Sequence, residues 1–355
     1  MNRSLHFGLC ILCALPIATY ADSKGSDWKL ISQWDNDLLS GTDRGYTNGS
    51  RIAIIHDLDP DQETHNKLQK ALYRISGVGS DSPWGDERRF LGEDTLRFSW
   101  GMGLTQLMYT PDDYTASTAP DGERPYAGWL GVEFSLNVSD RSSVGGVTLS
   151  IGTTGKYSYA HEAQDWVHDK ISSSPLYQGW DSQVPGELTL NLHLDRKEKI
   201  KQLNIANDWP IEIDGYYEWG AAIGNFRTDA YIGALTRFGY NLTNTYATPR
   251  VQLGSYGHAL FEPESSEAPP FSINGFAGIR GTAVAYDITL DGPLFRDFDT
   301  GVDRKPLVGE FIIGLSSRIG SVDFSLSQTY RSDEFKGQSK NQRFGSVMIR
   351  MDFPF

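Results

Sequence analysis

Cysteine is almost absent from this chain of 355 residues: there are only two, Cys10 and Cys13, and both lie near its start. They fall within residues 1–21, where a positively charged start, an apolar run and a small-residue cleavage site at Ala21 indicate a secretory signal peptide. Disulfide bonds are therefore not expected to stabilise the mature protein. We predict that residues 22–355 form a single domain.

Long apolar runs and an excess of positive charge are also lacking. Beyond the signal peptide, no stretch reaches the roughly 18 consecutive apolar residues of a membrane-spanning helix. Acidic residues outnumber basic residues by 45 to 32, which gives a formal net charge of -13. Because an acidic chain repels phosphate backbones, nucleic acid is not expected as a partner. Spanning β-strands remain compatible with this composition, since only every second side chain of such a strand faces lipid.

The end of the chain alternates between apolar and polar side chains. The apolar residues are Val347, Ile349, Met351, Phe353 and Phe355, and polar residues such as Arg350 and Asp352 lie between them. A period of two means that one face of a strand meets an apolar medium and the other meets water or a polar lumen. A strand that ends in a terminal Phe is typical of bacterial outer-membrane barrels. The pattern predicts recognition by the outer-membrane assembly machinery through Phe355.

Alternation and turn residues together predict twelve strands. They cover roughly residues 28–35, 46–58, 94–109, 125–138, 143–157, 187–196, 211–224, 228–242, 271–288, 306–319, 321–332 and 343–355. The predicted fold is all-β, a transmembrane antiparallel β-barrel of about twelve strands with a short helix in an outer loop. A large soluble β-sandwich or a lipocalin-like barrel gives the same alternation and is the alternative.

Two predicted connections, residues 59–93 and 243–270, are long for the periplasmic side of a barrel, where turns are usually short. The first could contain a short helix around residues 66–75. The second could contain an additional strand over residues 245–259.

An even number of strands places both termini at the periplasmic end of the barrel. The first strand then runs outward, and every second connection lies at the outer end. These predicted outer loops cover residues 36–45, 110–124, 158–186, 289–305 and 333–342. The densest polar segments of the chain lie in or beside these loops. Polar groups gathered at one rim predict a binding or catalytic site there.

Two polar segments stand out at this rim. In HEAQDWVH, a helix would place His161, Asp165 and His168 on one face, where they could hold a metal or present a general base. The consecutive residues Asp35, Asn36 and Asp37 supply the hard oxygen donors that calcium prefers. An Asx-rich turn is an alternative explanation of those three residues.

These segments and several others resemble, in order and over essentially the whole mature chain, the outer-membrane lipid A 3'-O-deacylase family. The matching motifs are Asn36–Asp37, DRGYTNG at 43–49, YTP at 109–111, RPYAGW at 124–129, HEAQDWVH at 161–168, GWDSQ at 179–183, GN at 224–225, LDGPLFRD at 290–297, EFKGQ at 334–338 and QRFGS at 342–346. Each motif alone is weak evidence, and the resemblance rests on the presence of all of them in the same order.

The resemblance implies a twelve-stranded barrel that hydrolyses the ester holding the 3'-linked acyloxyacyl group of lipid A, within lipopolysaccharide at the outer leaflet. It implies a divalent cation, typically calcium, and a catalytic role for His168, Asn36, Asp37 and Thr47. In that chemistry, His168 would take a proton from water. Asp37, with Asp35 beside it, would hold the cation that polarises the ester carbonyl.

Three basic residues are candidates for binding the phosphates of lipid A: Arg124, Arg44 and Lys336. Ordinary surface charge is an equally good explanation of all three. The chain departs from the family at residues 112–123, which contain no lysine or arginine where the characterised enzymes carry a lysine. Another base such as Arg124 could replace that lysine, the acidic loop could bind additional cations, or the substrate could differ.

Two other functions remain open from the sequence. The first is a passive channel or structural barrel, with its lumen filled by inward residues such as Glu133, Glu212, Asp214, Glu218 and Arg318. The second is a phospholipase that acts on glycerophospholipids. The serine type of that enzyme needs a serine beside a histidine on the barrel wall, and the sequence shows no clear pair of this kind.

Overall fold

The computed structural model describes residues 28–37, 45–58, 97–139, 143–172, 175–204, 211–242, 249–255, 270–339 and 341–353. Several predictions lie outside these residues: the signal peptide, Arg44, the helix around residues 66–75 and the terminal Phe355.

Twelve antiparallel strands form a closed barrel in which each strand pairs with its neighbours in sequence and β1 pairs with β12. The strands are β1 (Trp28–Asn36), β2 (Gly45–Asp57), β3 (Arg97–Thr110), β4 (Ala127–Ser139), β5 (Ser143–Thr154), β6 (Leu188–Asn204), β7 (Ile211–Gly224), β8 (Arg227–Tyr240), β9 (Phe271–Asp287), β10 (Leu307–Ile319), β11 (Val322–Arg331) and β12 (Gln342–Phe353). The predicted fold class and strand count are confirmed.

Strand β6 shows why this sequence forms a membrane barrel. Leu188, Leu190 and Leu192 are 74%, 56% and 48% exposed, whereas the intervening Thr189 and Asn191 are each 1% exposed. Apolar side chains thus cover the outside of the barrel and polar side chains line the inside. This inversion of a soluble protein is the arrangement expected of a barrel surrounded by lipid.

Ion pairs fill the lumen. Arg51 and Glu133 approach within 2.8 Å, and Arg237 and Asp214 within 2.6 Å. Glu218 pairs with both Arg280 and Lys197, and Arg318 lies 2.9 Å from Asp323. The leucine-rich exterior and this charged interior follow directly from the period of two in each strand.

Residues 249–255, from the connection between β8 and β9, lie inside the barrel and contact its inner wall. We call this stretch the lumen segment. The predicted additional strand over residues 245–259 is wrong for residues 249–255, the part of it that the structure describes. Val251 and Gly254 donate their backbone N–H groups to side chains of the barrel wall, and Ser255 donates to Gln252 within the segment, so that no pairing with a neighbouring strand forms.

In the described parts of the outer loops there are two short α-helices. The first, Ala160–Val167, follows β5 and is called the loop helix below, and the second, Ile288–Asp291, follows β9. The predicted helix in an outer loop is therefore confirmed. Within the described residues, neither helix is long and apolar enough to cross a membrane.

Candidate functional site

The loop helix packs against the outside of the barrel wall near the outer end of β3 and β4. Gly128 of β4 allows this approach, because a Cβ at this position would lie 2.2 Å from Ser158 Oγ and 2.4 Å from Ala160 Cβ. The Gln106 amide of β3 donates to the Ser158 carbonyl at 2.7 Å. A buried cluster joins the two layers and consists of Met108, Tyr126, Ala160, Tyr177 and Trp180.

The buried face of the loop helix differs from the predicted one. Ala160, Gln164 and His168 turn inward at intervals of four residues, with His168 only 3% exposed. Gln164 accepts a hydrogen bond from Trp180 Nε1 at 2.7 Å. His161 Nε2 instead lies 3.2 Å from Asp165 Oδ2 at the exposed edge of the helix. The prediction that His161, Asp165 and His168 form one functional face is therefore wrong, and His168 is the buried member.

His168 is held in one orientation by its surroundings. Its Nδ1 lies 2.7 Å from the carbonyl oxygen of Pro175, and its ring lies 5.8 Å from the ring of Tyr177. Because a carbonyl oxygen can only accept, this contact requires the proton of the neutral ring to be on Nδ1. Nε2 then carries the lone pair and can accept a proton from another group.

Asn36 and Thr47 lie on the lipid side of the same wall. Asn36, the last residue of β1, is 4% exposed, and its backbone neighbours across the sheet are Asn48 and Gly345. Thr47 lies at a bulge in the pairing of β2 with β3, and its hydroxyl is 2.6 Å from that of Thr110. The outer ends of β1, β2 and β3 thus bring Asn36 and Thr47 to the lipid side of the wall, and the loop helix packs on the neighbouring β3 and β4.

Asp35 faces the lumen, opposite to Asn36. Both of its carboxylate oxygens accept from the backbone N–H of Val251, at 3.0 and 3.1 Å, and Tyr46 donates its hydroxyl proton at 3.0 Å. Asp37 follows β1 and is completely buried. This placement argues against Asp35 as a ligand of a cation bound beside Asn36, so that Asp37 is the better candidate ligand.

A metal site made only of acidic and histidine side chains is not found in the part of the chain that the structure describes, where no group of three or more His, Cys, Asp or Glu could hold an ion. Calcium also accepts amide oxygens, backbone carbonyl oxygens and water. The neighbouring amide of Asn36 and carboxylate of Asp37 are donors of this kind.

The predicted phosphate-binding residues occupy different environments. Arg124 is 3% exposed, lies over the ring of Tyr109, donates to Thr289 Oγ1 at 2.9 Å and pairs with Glu334 at 3.1 Å. A phosphate could reach it only if these contacts opened. Lys336 is exposed, and its ammonium group lies 3.2 Å from Asp303. Phosphate binding by both residues stays a prediction, and the contacts of Arg124 favour a structural role.

The acidic loop between β3 and β4 uses its carboxylates to hold its own backbone. Asp113 accepts from the N–H and the hydroxyl of Thr115 at 2.8 and 2.6 Å, and these bonds lower the pKa of the Asp113 carboxyl. Glu123 accepts from the N–H groups of Asp112 and Asp113 at 2.7 and 3.2 Å. The absence of lysine from this loop is therefore accompanied by a self-stabilised acidic turn.

Exposed aromatic side chains surround the loop helix. Tyr157, Tyr159 and Trp166 are 60%, 57% and 59% exposed. On β3, Leu104 of the lipid-facing band is 52% exposed and lies four residues from Met108, which the helix covers. The helix therefore sits at the upper edge of the apolar band, where Trp and Tyr are favoured in membrane proteins.

The comparisons with known proteins agree with this architecture. A model of outer membrane protein LpxR matches residues 5–353. This chain belongs to the LpxR family. The resemblance predicted from the motifs and the outer-membrane location are therefore confirmed. No curated protein matches the sequence.

A solved structure shares this fold. LpxR from Salmonella typhimurium superimposes with a TM-score of 0.68 at 19% identity, covering 92% of this chain and 100% of that one. The β domain of the Bordetella autotransporter BrkA is a remote likeness, with a TM-score of 0.39 at 10% identity over 92% of this chain and 98% of that one.

A buried serine–histidine pair is present that was not recognised from the sequence. Ser150 Oγ of β5 lies 3.0 Å from His193 Nε2 of β6. Both face the lumen, and Gly254 of the lumen segment lies against the His193 ring. Because the pair is covered and away from lipid, it does not support the phospholipase alternative.

Sequence reasoning also missed Thr110, Pro175 and Tyr177, which contact the predicted site residues. Thr110 belongs to the YTP motif, so its place in that motif was a usable signal. Pro175 and Tyr177 lie in the stretch after the loop helix, which carries no recognised motif. Their positions depend on how that stretch folds back on the helix.

Proposed function

We propose that this protein is an outer-membrane esterase that removes the 3'-linked acyloxyacyl group of lipid A. The observation that supports this most strongly is that Asn36 and Thr47 lie on the lipid side of the barrel wall, while His168 contacts Tyr177 of the cluster that packs the loop helix on the outside of β3 and β4. A site on that side receives an amphiphile from the outer leaflet. A site inside the lumen would receive a soluble molecule.

The histidine supplies the base in this proposal. With its Nδ1 proton directed at the Pro175 carbonyl, His168 accepts the proton of an attacking water at Nε2. The carbonyl contact also stabilises the imidazolium that forms, because its donor becomes charged. When the tetrahedral intermediate collapses, the same proton is available to the leaving alkoxide of the sugar.

Hydrogen-bond donors near the reacting carbonyl support the oxyanion. The Asn36 amide and the Thr47 hydroxyl are the donors that the wall offers, and Thr110 orients the Thr47 hydroxyl across 2.6 Å. Donors fixed by a barrel wall need no reorganisation during the reaction, which is why such groups lower the barrier.

A divalent cation, with calcium as the favoured ion, is part of the proposal. Asp37 would hold it together with the Asn36 amide oxygen, since these are hard oxygen donors. When bound, the ion would supply positive charge that polarises the ester carbonyl. Phosphate groups of lipid A would meet the exposed Lys336, and phosphate binding by Arg44, which lies outside the described residues, stays a prediction.

The passive-channel alternative has less support. Ion pairs and the lumen segment occupy the barrel interior, and an aromatic and aliphatic cluster lies across its outer end. This cluster includes Tyr46, Leu107, Tyr109, Trp129, Val184, Phe226, Val251, Ile288 and Phe344. The phospholipase alternative shares the ester chemistry, and the identity of the released acid separates the two.

The test is mass spectrometry of lipid A from a Gram-negative host that expresses the wild-type protein, His168→Ala or His161→Ala. His161 is a matched control, because it lies on the same helix but at its exposed edge. We expect wild type and His161→Ala to remove the mass of the 3'-acyloxyacyl group, and His168→Ala to leave lipid A intact.

Folding of each variant in the outer membrane is checked by the altered gel mobility of unheated barrel protein. Intact lipid A in the presence of folded wild-type protein would contradict the proposal. Released phospholipid fatty acid with intact lipid A would support the phospholipase instead.

A further inference from the structure

The lumen segment is bound to the barrel around most of its circumference. Its seven residues contact seven strands: β1, β2, β4, β5, β6, β9 and β10. A stretch of chain inside a lumen must satisfy its backbone groups with the wall, since it has no neighbouring strand. Such extensive bonding indicates a defined position.

Glu133 and Gly254 fix one end of the segment. The Gly254 N–H donates to Glu133 Oε2 at 2.8 Å, and Thr148 Oγ1 donates to the Gly254 carbonyl at 3.1 Å. Gly254 has a φ of 76°, and a Cβ there would lie 2.3 Å from the Cβ of His193. Only glycine fits this position, because both the backbone conformation and the space exclude a side chain.

Charged side chains fix the other end. Arg250 pairs with Glu310, and the Gln33 amide donates to the Arg250 carbonyl at 2.9 Å. Gln252, two residues further along, is also held, because Arg51 Nη2 donates to its carbonyl at 2.5 Å. Val251 lies between these two anchors, and its N–H donates to Asp35.

This contact lies directly behind the candidate site. Asp35 precedes Asn36 in β1, and Tyr46, which donates to Asp35, precedes Thr47 in β2. Since neighbouring residues of a regular strand point to opposite faces, a contact of Asp35 on the lumen side fixes the backbone that carries Asn36 on the lipid side. At the bulge of β2, Tyr46 likewise contacts Asp35 in the lumen while Thr47 contacts Thr110 on the lipid side. Val251 is thus bound to both strands, to one directly and to the other through the Tyr46–Asp35 bond.

We propose that Asp35 is a positioning residue for the esterase site and that the Val251 amide of the lumen segment holds it in place. The inference rests on the proposed function for the reaction itself. Asp35 touches neither substrate nor reacting atoms, and it acts through the backbone of Asn36 and through Tyr46.

The first test compares Asp35→Ala with Asp35→Asn by the kcat and KM for release of the acyloxyacyl group from purified lipid A. Asparagine keeps an oxygen that accepts from Val251, whereas alanine leaves two donors unsatisfied. We expect Asp35→Ala to lower kcat on the order of 100-fold, the effect of a small misplacement of reacting groups, with KM within roughly twofold of wild type. Asp35→Asn should stay within roughly threefold of wild-type kcat on the same reasoning.

The second test disturbs the lumen segment without touching Asp35. Gly254→Val should displace the segment, lower kcat in the same way and raise the conductance of the barrel in planar bilayers. Gly281→Val is the matched control, because open space surrounds a side chain at that glycine.

The outcomes separate the two proposals. Wild-type protein that leaves lipid A unchanged would contradict the esterase itself. Active wild type with an equally active, folded Asp35→Ala would overturn the positioning role. A Gly254→Val variant with raised conductance and wild-type kcat would overturn the part played by the lumen segment. Barrel folding is followed by gel mobility in each case.

Discussion

Nδ1 of His168 lies 2.7 Å from the carbonyl oxygen of Pro175, which fixes both the orientation of the ring and its tautomer. Glutamine at position 168 can still donate an N–H to that carbonyl but cannot take a proton from water near neutral pH. We therefore expect His168→Gln to fold normally and to lose activity by about 10²- to 10⁴-fold, the usual contribution of a general base. Initial rates on purified lipid A provide the measurement, and retained activity would contradict a basic role.

Gly128 should be required for the position of the loop helix. A Cβ at this residue meets Ser158 Oγ and Ala160 Cβ within 2.4 Å, so that Gly128→Ala must push the helix away from the wall. We expect activity to fall at least about tenfold, since even a displacement of about 1 Å is costly for catalysis. Gly281→Ala is the control, and wild-type rates for Gly128→Ala would show that the helix tolerates this shift.

Arg124 and Lys336 should respond differently to substitution. Replacing Arg124 with methionine leaves the buried Glu334 carboxylate with only Arg331 as an ion-pair partner. The loss of the other pair should cost about 3 kcal/mol of stability. Lys336→Met removes an exposed charge and should change stability by less than about 0.5 kcal/mol. Urea unfolding in lipid vesicles measures both. If Lys336→Met instead raises the KM for lipid A while Arg124→Met does not, phosphate binding belongs to the rim lysine.

Trp166 should contact the outer leaflet. Its indole is 59% exposed on the loop helix, at the upper edge of the lipid-facing band. Trp166→Ser should slow turnover of lipid A in membranes more than turnover in detergent micelles, because the variant loses its apolar contact with the bilayer surface. Quenching by brominated lipids, compared between wild type and Trp166→Phe, reports the contact directly. Equal quenching in the two proteins would place this side chain in water.

Removal of divalent cations should lower activity without unfolding the barrel. The strands are held by their pairing and by ion pairs of side chains, whereas the cation is proposed to act only at Asn36 and Asp37. We expect chelation to lower the rate at least about tenfold and added calcium to restore it, in line with the usual contribution of a Lewis acid. Circular dichroism should not change. Full activity after exhaustive chelation would contradict the cation.

The barrel itself was predictable because each strand carries its own period of two. The alternating leucines of β6 identify its lipid-facing side without any information from other strands. The same rule places Asp35 and Asn36 on opposite faces, so grouping them as one set of oxygen donors ignored information that the sequence contained.

Other features depended on contacts between distant residues. Gly254 binds to Glu133, which is more than a hundred positions away, and no local pattern reports such a contact. Arg124 precedes β4, where alternation has not begun, so its direction toward Glu334 could not be read from period or spacing. The buried face of the loop helix was predicted wrongly because a helix places both Gln164 and Asp165 near the side of His168. Packing against the barrel wall decides which of the two is buried, and the spacing of the residues does not show this.

The pairing of β1 with β12 has a consequence for biogenesis. Asn36 lies opposite Gly345 of the last strand, so one wall of the site does not exist until the first and last strands meet. Until that seam forms, Asn36 lies on an edge strand that is held by β2 on one side only. We expect hydrolysis to begin only after closure in the outer membrane, so that lipid A passing through the periplasm would be protected by the timing of assembly.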